Sequence, residues 1–485
     1  MPRPGRFFTR SGSDSHTGST TSTIVYDHEA FDTFRSRVVN LALHKIWPDA
    51  TAEEINVERM SGGGENRIIG ISRQPTQGPD THTRYILRVP RFDVDAIQIG
   101  IQADVLQILH QNGKIPVPMI VDLGETGSNE LNRKYMIQHR IPGTALITSY
   151  PELSHQERCT LARELGHVFN ELLAFTGVAT GLLVKSDDTA QNQLLPWQCR
   201  ELMWATEWRP QPIEQLETKI LLPWQRTDIG QATENVPQGI DEMLIAMFTT
   251  QKHVEKMLRP DSPLGTDLFD RFCKMTSELA AEGWFTNCHI SLAHLDLEPR
   301  NILVNPTSNS NLPIISAVID WDNSLFAPQF MCCAPPMWLW AWLDNEDEDE
   351  RMANEEPPTP EARQLKQLFE EAAGAEYLRF AYAPAYRLAR RLFDFALHGM
   401  YYSHIFKEAE DMLDEWATIR QSEQSMASPA IQYETTATQQ DDSDSHGQVE
   451  SIPVTPGNNA APRGKKWTHW TRREFSYWQK LKSYR

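Results

Sequence analysis

Two short segments in the second half of the chain constrain the fold most, because each joins an apolar strand to polar side chains at a fixed spacing. The first segment, residues 294–304, reads HLDLEPRNILV and has the form H-x-D-x-x-x-x-N followed by a strand. The second, residues 318–322, reads VIDWD, an apolar strand that ends in a carboxylate pair. Strand, turn and strand in succession predict a hairpin that brings Asn301 and Asp320 near each other.

These side chains are of the types that phosphoryl transfer requires. One carboxylate orients or deprotonates the attacking hydroxyl group, while an amide oxygen and a second carboxylate hold Mg²⁺ on the nucleotide phosphates. We assign the first role to Asp296 and the metal to Asn301 and Asp320. His294 is interpreted as a structural residue that fixes the backbone of the loop. The alternative is a solvated Asp/Asn turn near a buried Trp321.

The two segments together resemble the aminoglycoside phosphotransferase family, the small-molecule branch of the protein-kinase-like fold. Its members show H-x-D-x-x-x-x-N-I-L and then I-D-W followed by an acid. The resemblance covers about residues 55–400 and is greatest to fungal-type members, which share the stretches at 325–328 and 335–340. It implies an α+β, two-lobed fold with a small antiparallel-sheet N-lobe and a mainly helical C-lobe. It also implies the use of ATP and Mg²⁺.

A glycine-rich turn in the N-terminal part is the first nucleotide-binding candidate. Gly62, Gly63 and Gly64 lie between predicted strands at 55–60 and 68–72. Glycines let backbone N–H groups approach phosphate oxygens closely, and the resemblance implies a turn that covers the phosphates. The alternative is an ordinary hairpin turn.

A cation and a helical acid are expected to accompany this turn. Arg88 lies in the middle of the strand predicted over 85–89, where the family usually has a phosphate-binding lysine. An arginine can hold a phosphate through two hydrogen bonds. Its partner on the helix predicted over 95–111 is Asp104, the nearest carboxylate, although Gln102 fits the family position slightly better by register.

Two further stretches are assigned by resemblance. Residues 135–143 resemble the family's linker between the lobes, where adenine bonds to backbone groups, and we place adenine at Gln138 to Arg140. The tryptophan-rich stretch 335–340 either lines an acceptor pocket or belongs to the core. The core is favoured because tryptophan is mostly buried for packing.

Composition divides the chain into five parts. They are a disordered tail at 1–24, a nucleotide-binding lobe at 25–140, a helical catalytic lobe at 141–420, a disordered linker at 421–462 and a basic, aromatic segment at 463–485. The tail and the linker are rich in Ser, Thr and other polar residues, which cannot form a core. Within the catalytic lobe, two strands are predicted at 302–305 and 314–319, a solvated acidic loop at 344–356 and a return to helix at 360–420.

Charge and cysteine usage limit the partners and the compartment. The formal net charge is −19, from 46 basic and 65 acidic residues, which argues against nucleic acid as a partner. No apolar run is long enough to predict a transmembrane helix. The six cysteines have no zinc-ligand spacing, which favours free thiols and a cytoplasmic location. The alternative is mitochondrial, because Arg3, Arg6 and Arg10 precede the first acid.

The segment 463–485 differs from the rest of this acidic chain, since basic residues alternate there with aromatic ones. We expect it to dock in cis on the acidic catalytic domain, on a partner protein or on an anionic membrane surface.

The sequence therefore predicts a Mg-ATP-dependent phosphotransferase that moves the γ-phosphoryl group to a hydroxyl of a small molecule, whose identity the sequence does not give. The alternative is a catalytically silent kinase-like binding or scaffold protein. Arg88 and the absence of a clear helical glutamate favour that alternative, whereas the intact Asp296, Asn301 and Asp320 favour the enzyme.

Overall fold

The computed structural model places the described residues in two compact units. The described residues are 31–60, 66–74, 84–91, 95–112, 114–177, 180–185, 197–200, 239–258, 264–306, 313–342, 349–400 and 403–427. One unit contains those up to Gln111 together with Val117–Pro142, and the other contains Asn112–Pro116 and those from Gly143 onward. The predicted segments 1–24 and 463–485 lie outside the described residues. None of the described helices is long and apolar enough to cross a membrane.

The N-terminal unit contains the small antiparallel sheet that the sequence predicts. Its five strands lie in the order β1-β2-β3-β5-β4 and are accompanied by two helices. These elements are α1 (Phe31–Lys45), β1 (Ile55–Arg59), β2 (Asn66–Arg73), β3 (Arg84–Pro90), α2 (Asp95–Asn112), β4 (Ile120–Gly124) and β5 (Tyr135–His139). Strand β4 begins only at Ile120, because the preceding Pro116 and Pro118 have no N–H to donate to a ladder.

The two faces of this sheet differ in what they carry. One face, which includes Val57, Ile69, Leu87 and Ile137, shares a hydrophobic core with α1. Side chains alternate along a strand, so the residues between these point to the other face. On this other face, the strand ladders place six residues side by side, namely Ile68, Gly70, Ile86, Arg88, Met136 and Gln138. We call the first the α1 face and the second the Arg88 face.

Helices dominate the C-terminal unit, as predicted. Those described are α3 (Leu146–Ser149), α4 (His155–Ala174), α5 (Ile240–Leu258), α6 (Leu264–Ala281), α7 (Pro360–Ala381), α8 (Pro384–His398) and α9 (Ser403–Ala427). Helix α4 begins at a capping box in which Ser154 and Glu157 satisfy each other's backbone N–H groups. It packs closely on α7, because a Cβ at Gly166 would lie only 2.6 Å from the carbonyl oxygen of Phe369. Because one unit contains an antiparallel sheet and the other is mainly helical, the predicted α+β fold class is confirmed.

Short strands surround the motif segments. They are β6 (Thr144–Ala145), β7 (Thr176–Gly177), β8 (Leu182–Lys185), β9 (Trp197–Arg200), β10 (Ile290–Ala293), β11 (Ile302–Val304), β12 (Ile315–Val318) and β13 (Leu325–Pro328). They form sheets ordered β13-β10-β7, β12-β11-β6 and β8-β9. The prediction of only two strands in this lobe is wrong. Every residue of β13 is buried, so its sequence shows no alternation that would separate a strand from a helix.

The region 360–420 is helical, as predicted, but glycines divide it. Gly374 has a φ of 84° inside α7, and Gly399, with a φ of 73°, ends α8. Glycine adopts positive φ without a steric penalty, which allows these bends. Helix α9 continues to Ala427, beyond residue 420 where the catalytic lobe was predicted to end.

The acidic stretch 344–356 is not a solvated loop throughout, and here the prediction is wrong. Its residues 344–348 lie outside the described residues, but the Glu350 side chain is only 10% exposed and forms an ion pair with Arg390 of α8. Arg390 also donates to the carbonyl oxygens of Phe330, Phe380 and Ala381. These bonds compensate the cost of burying the guanidinium group.

The core interpretation of the tryptophan-rich stretch 335–340 is confirmed. Trp338 and Trp340 are buried with their neighbours, and the ring of Trp338 lies edge-on to Tyr150, 6.1 Å away. Cys159, Cys273, Cys288, Cys332 and Cys333 are free thiols, as expected.

Candidate functional site

The hairpin predicted from the two motif segments is present. Strands β11 and β12 pair antiparallel, with Ile302 opposite Val318. The backbone N–H of Ile319 donates to the carbonyl oxygen of Asn301 at 2.9 Å. Asp320 directly follows Ile319 in the chain. The structure therefore brings both predicted metal-binding residues to one end of the hairpin.

Asp296 and Asn301 are joined in a closed turn. Nδ2 of Asn301 donates to the backbone oxygen of Asp296 at 2.8 Å and to its carboxylate Oδ2 at 2.7 Å. A 3₁₀ turn at Pro299–Asn301 brings the two residues together, and the ring of Pro299 fixes the backbone where the turn begins. Both side chains are buried. The amide therefore holds the carboxylate in one orientation.

The backbone of both motif segments includes a left-handed residue. Leu295, directly before Asp296, has a φ of 54°, and Asp320 has a φ of 68°. This conformation costs a non-glycine residue about 1–2 kcal/mol. Such strain persists where the surrounding structure enforces it, and it clusters at functional sites. Two of the four positive-φ non-glycine residues described fall in these segments, which marks the hairpin as a candidate site.

His294 makes the backbone contact that the sequence interpretation expects. Its Nε2 lies 3.1 Å from the carbonyl oxygen of Ile319, and because a carbonyl only accepts, Nε2 is the donor. The imidazole is buried edge-on to Trp321, with ring centroids 4.6 Å apart. The indole of Trp321 donates in turn to the carbonyl oxygen of Val318 at 3.0 Å. These contacts tie the end of β10 to the end of the hairpin.

Asp296 has a second side-chain partner, which the sequence did not predict. The guanidinium of Arg300 contacts the carboxylate Oδ1 of Asp296, so both carboxylate oxygens have a donor. The side chain of Arg300 is 37% exposed, in contrast to the buried Asp296. The motif contained a signal for this contact, because Arg300 lies four residues after Asp296 and opposite charges this close in sequence attract.

Glu164 on α4 is a further contributor to the site that the sequence did not predict. Its carboxylate accepts hydrogen bonds from the backbone N–H groups of Ile314, at 3.0 Å, and Ile315, at 2.7 Å. Burial raises the pKa of Glu164, and these two bonds oppose the shift. Helix α4 thereby anchors the start of β12, the strand that leads to Asp320. No local pattern signals a contact across 150 residues of sequence.

Three of the predicted nucleotide-binding residues lie on the Arg88 face of the N-terminal sheet. Arg88 and Gln138 are each 7% exposed, and Arg140 continues the alternation from Gln138. Nη1 of Arg140 donates to the Glu58 carboxylate at 2.6 Å.

The backbone beside these residues is partly committed to the sheet. The N–H of His139 donates to Met119 and that of Arg140 donates to Arg84, each at 2.9 Å. Neither N–H group is therefore available to an adenine in this arrangement.

Two residues of the second helix, Asp104 and Gln102, are candidates for the predicted helical partner of Arg88. In α2, Gln102 is only 2% exposed, whereas Asp104 is half-buried. Nε2 of Gln102 has no hydrogen-bond partner within the described part of the chain. The more buried of the two positions thus holds a neutral amide. Gly62, Gly63 and Gly64 lie outside the described residues, in the connection between the paired strands β1 and β2.

The hairpin suits a hard cation that has few protein ligands. Within the described ranges, no group of three or more His, Cys, Asp and Glu side chains is arranged to hold a metal. Mg²⁺ needs no such group, because it is usually bound by one or two carboxylates together with phosphates and water. Asn301 uses its amide nitrogen for Asp296, so its oxygen is the group that it can offer to a cation beside Asp320. These residues fit Mg²⁺.

An antiparallel sheet with a buried arginine, a helical unit and an Asp–Asn turn beside an aspartate-bearing hairpin are the features expected of a kinase-like phosphotransferase. The model of the phosphotransferase enzyme family matches residues 77–331, just over half of the chain. The chain belongs to this family, and the resemblance found in the sequence is confirmed.

Solved structures of aminoglycoside phosphotransferases are similar to this chain at low identity. ADP-bound APH(2'')-Ib is 11% identical, with a TM-score of 0.43, and 79% of this chain and 97% of that chain are covered. The streptomycin–ATP ternary complex of APH(2")-IIa is 11% identical, with a TM-score of 0.42 and coverage of 80% and 97%. A ternary complex of an APH(4)-Ia mutant with ADP and hygromycin B is 17% identical, with a TM-score of 0.39 and coverage of 79% and 98%. No curated protein matches the chain.

Proposed function

We propose that this protein transfers the γ-phosphoryl group of ATP to a hydroxyl group of a small molecule. The observation that supports this most is the closed turn in which Asn301 holds the carboxylate of Asp296. Asp296 would accept a hydrogen bond from the attacking hydroxyl and take its proton. Because the carboxylate is already oriented, the reaction would need little reorganisation of the protein.

Asn301 and Asp320 are the proposed residues for Mg²⁺. When bound, the ion would neutralise charge on the nucleotide phosphates. Asn301 would contribute its side-chain oxygen and Asp320 its carboxylate. The hydrogen bond from Ile319 to Asn301 and the contact of His294 with Ile319 would keep these two groups in register.

In the N-terminal unit, Arg88 is the proposed phosphate-binding cation. Its burial on the sheet favours a defined guanidinium geometry, which suits bidentate phosphate recognition. Gly62, Gly63 and Gly64 are proposed to cover the phosphates, and the Gln138–Arg140 stretch to meet adenine. Gln138 contributes an acceptor, because its buried Oε1 has no hydrogen-bond partner among the described residues. Whether Asp104 or Gln102 accompanies Arg88 is decided by substituting each in turn.

A cytoplasmic location is proposed from the free thiols, which are typical of a reducing compartment. Cell fractionation distinguishes it from the mitochondrial alternative.

The metal assignment is tested by ADP binding with and without Mg²⁺, measured by calorimetry. We expect wild type to bind ADP more tightly with Mg²⁺. Asp320→Ala should lose most of that gain, about tenfold or more in affinity, since it removes a charged ligand. Asp414→Ala, which removes an exposed aspartate of α9, is the control and should bind as wild type does.

Binding that is equal with and without Mg²⁺ in wild type would contradict the metal assignment. Mg²⁺-dependent binding combined with no phosphoryl transfer to any acceptor in a broad panel would instead support the silent binding protein, which the neutral Gln102 at the buried helix position favours.

A further inference from the structure

Arginines gather at one end of the N-terminal sheet, on its α1 face. Arg59 ends β1 and lies two residues after the core residue Val57. Arg67 is near the start of β2, two residues before the core residue Ile69, and Arg59 is opposite Ile69 in the ladder. Because side chains alternate along a strand, both arginines share the face that packs on α1.

Two more arginines reach the same end of the sheet from β3 and β5. Arg91 lies two residues after the core residue Val89, and Arg133 lies two residues before the core residue Tyr135. In the β3–β5 ladder, Arg88 is opposite Met136. Arg91 directly follows β3 and Arg133 lies just before β5, so both lie at the same end of these two antiparallel strands.

Helix α1 contributes a fifth arginine, Arg37. The guanidinium carbons of Arg37 and Arg67 lie 5.1 Å and 4.7 Å from the centroid of the Phe34 ring, so one buried aromatic ring positions both. Arg37 also donates to the carbonyl oxygen of Leu131 at 3.0 Å. We call Arg37, Arg59, Arg67, Arg91 and Arg133 the arginine cluster.

The charges of the cluster act on one another. Burial, and then the charges of the other four arginines, lower the pKa of Arg67 to about 10. The cluster is also accessible, because Arg59 and Arg133 are exposed and the other three are half-buried. Like charges held this close repel, and a bound anion relieves that repulsion. Such a concentration of arginine is unusual in a chain with a net charge of −19.

We propose that the arginine cluster binds a phosphate-bearing anion on the α1 face of the sheet, in addition to any nucleotide that is held from the Arg88 face. Planar guanidinium groups match phosphate oxygens bidentately, and several of them recognise a group with more than one phosphate. The cluster lies on the α1 face, whereas Arg88 and Gln138 lie on the opposite face of the same sheet. The phosphate groups belong either to a soluble molecule or to a lipid headgroup. This site does not depend on the proposed catalytic function.

Calorimetric titration with inorganic tripolyphosphate tests the site in the full chain, with Mg-ADP in excess to occupy a nucleotide site. The test variant is Arg91→Gln/Arg133→Gln, which changes one half-buried and one exposed position. The matched control is Arg84→Gln, an exposed arginine at the other end of β3. We expect wild type and Arg84→Gln to bind alike, and the double variant to bind about tenfold more weakly for each arginine removed. Binding should also weaken as salt increases.

Co-sedimentation with vesicles distinguishes the two sources of phosphate. Phosphatidylcholine vesicles with and without phosphatidylinositol 4,5-bisphosphate are compared for the same three proteins. Retention on the phosphoinositide vesicles that the double variant loses supports a lipid headgroup, and tripolyphosphate binding alone supports a soluble anion. The proposal is overturned if the double variant binds both probes as wild type does, or if Arg84→Gln weakens binding equally. A matching circular dichroism spectrum verifies that the double variant is folded.

Discussion

Asn301 uses the two ends of its side-chain amide for different purposes. The nitrogen donates to the backbone and the carboxylate of Asp296. The oxygen is the proposed ligand of a cation that Asp320 also binds. A single residue thus connects the orientation of the proposed base to the proposed metal, and the two roles can be separated by substitution.

Asn301→Asp keeps an oxygen ligand but removes the donor to Asp296. We expect phosphoryl transfer to fall by about tenfold or more, since a hydrogen bond to a charged group contributes about 1.5–3 kcal/mol. Mg²⁺-dependent ADP affinity should remain. The control is Asn305→Asp, an exposed position just after β11. Steady-state kinetics with calorimetry checks both, and loss of ADP affinity at unchanged turnover would show that the two roles are reversed.

The residues that the sequence predicted correctly as neighbours are those that local spacing brings together. Asn301 and Asp320 flank one hairpin, so their proximity follows from two adjacent strands. Glu164 could not be predicted, because its contact with Ile314 and Ile315 depends on how α4 packs. Which residues share the Arg88 face depends on the strand register, and the sequence suggests that register but does not determine it.

At the scale of elements, α4 holds the strand that leads to Asp320. The contact consists of one half-buried carboxylate and two backbone N–H groups at the start of β12. Burial raises the pKa of folded Glu164 above its ordinary value of 4.5. The folded state therefore holds this proton more tightly than the unfolded state does.

The contribution of Glu164 to the free energy of unfolding falls as the pH rises. The stability that comes from the raised pKa is fully present below pH 4.5 and is lost as the pH rises through the folded pKa. We expect the free energy of unfolding of wild type, minus that of Glu164→Gln, to decrease with rising pH over that window. Urea denaturation at a series of pH values measures it, with the exposed Glu152→Gln as the control. An increase with pH would mean that burial does not dominate at Glu164.

Elements with a clear period, or with a motif segment that overlaps them, were predicted, and other short elements were not. Strands β1, β2 and β3 and helix α2 lie within a few residues of their predicted bounds. Strands β11 and β12 are equally short but overlap the motif segments, whereas β10 and β13, with four residues each, pair through contacts distant in sequence. The buried end of the acidic stretch was also missed, because only packing against α8 gives Glu350 its partner Arg390.

At the scale of the whole molecule, every group assigned to phosphoryl transfer precedes residue 323. The segment 463–485 lies outside the described residues and has no assigned catalytic group. We therefore expect deletion of 463–485 to leave phosphoryl transfer largely unchanged. Kinetics of the shortened and full-length chains compare them directly. A shortened chain that folds but loses turnover would show that this segment completes the active site.

The central claim is that Asp296 acts on the acceptor hydroxyl in a phosphotransferase. The most direct measurement incubates wild type and Asp296→Asn with Mg-ATP and a metabolite mixture, and detects products that gain a phosphoryl group by mass spectrometry. We predict that wild type forms such a product. Asp296→Asn should form it about 10²–10⁴-fold more slowly, the usual contribution of a general base, while binding Mg-ADP as well as wild type does. Unchanged product formation by Asp296→Asn, or none by a wild type that binds Mg-ADP, would contradict the claim.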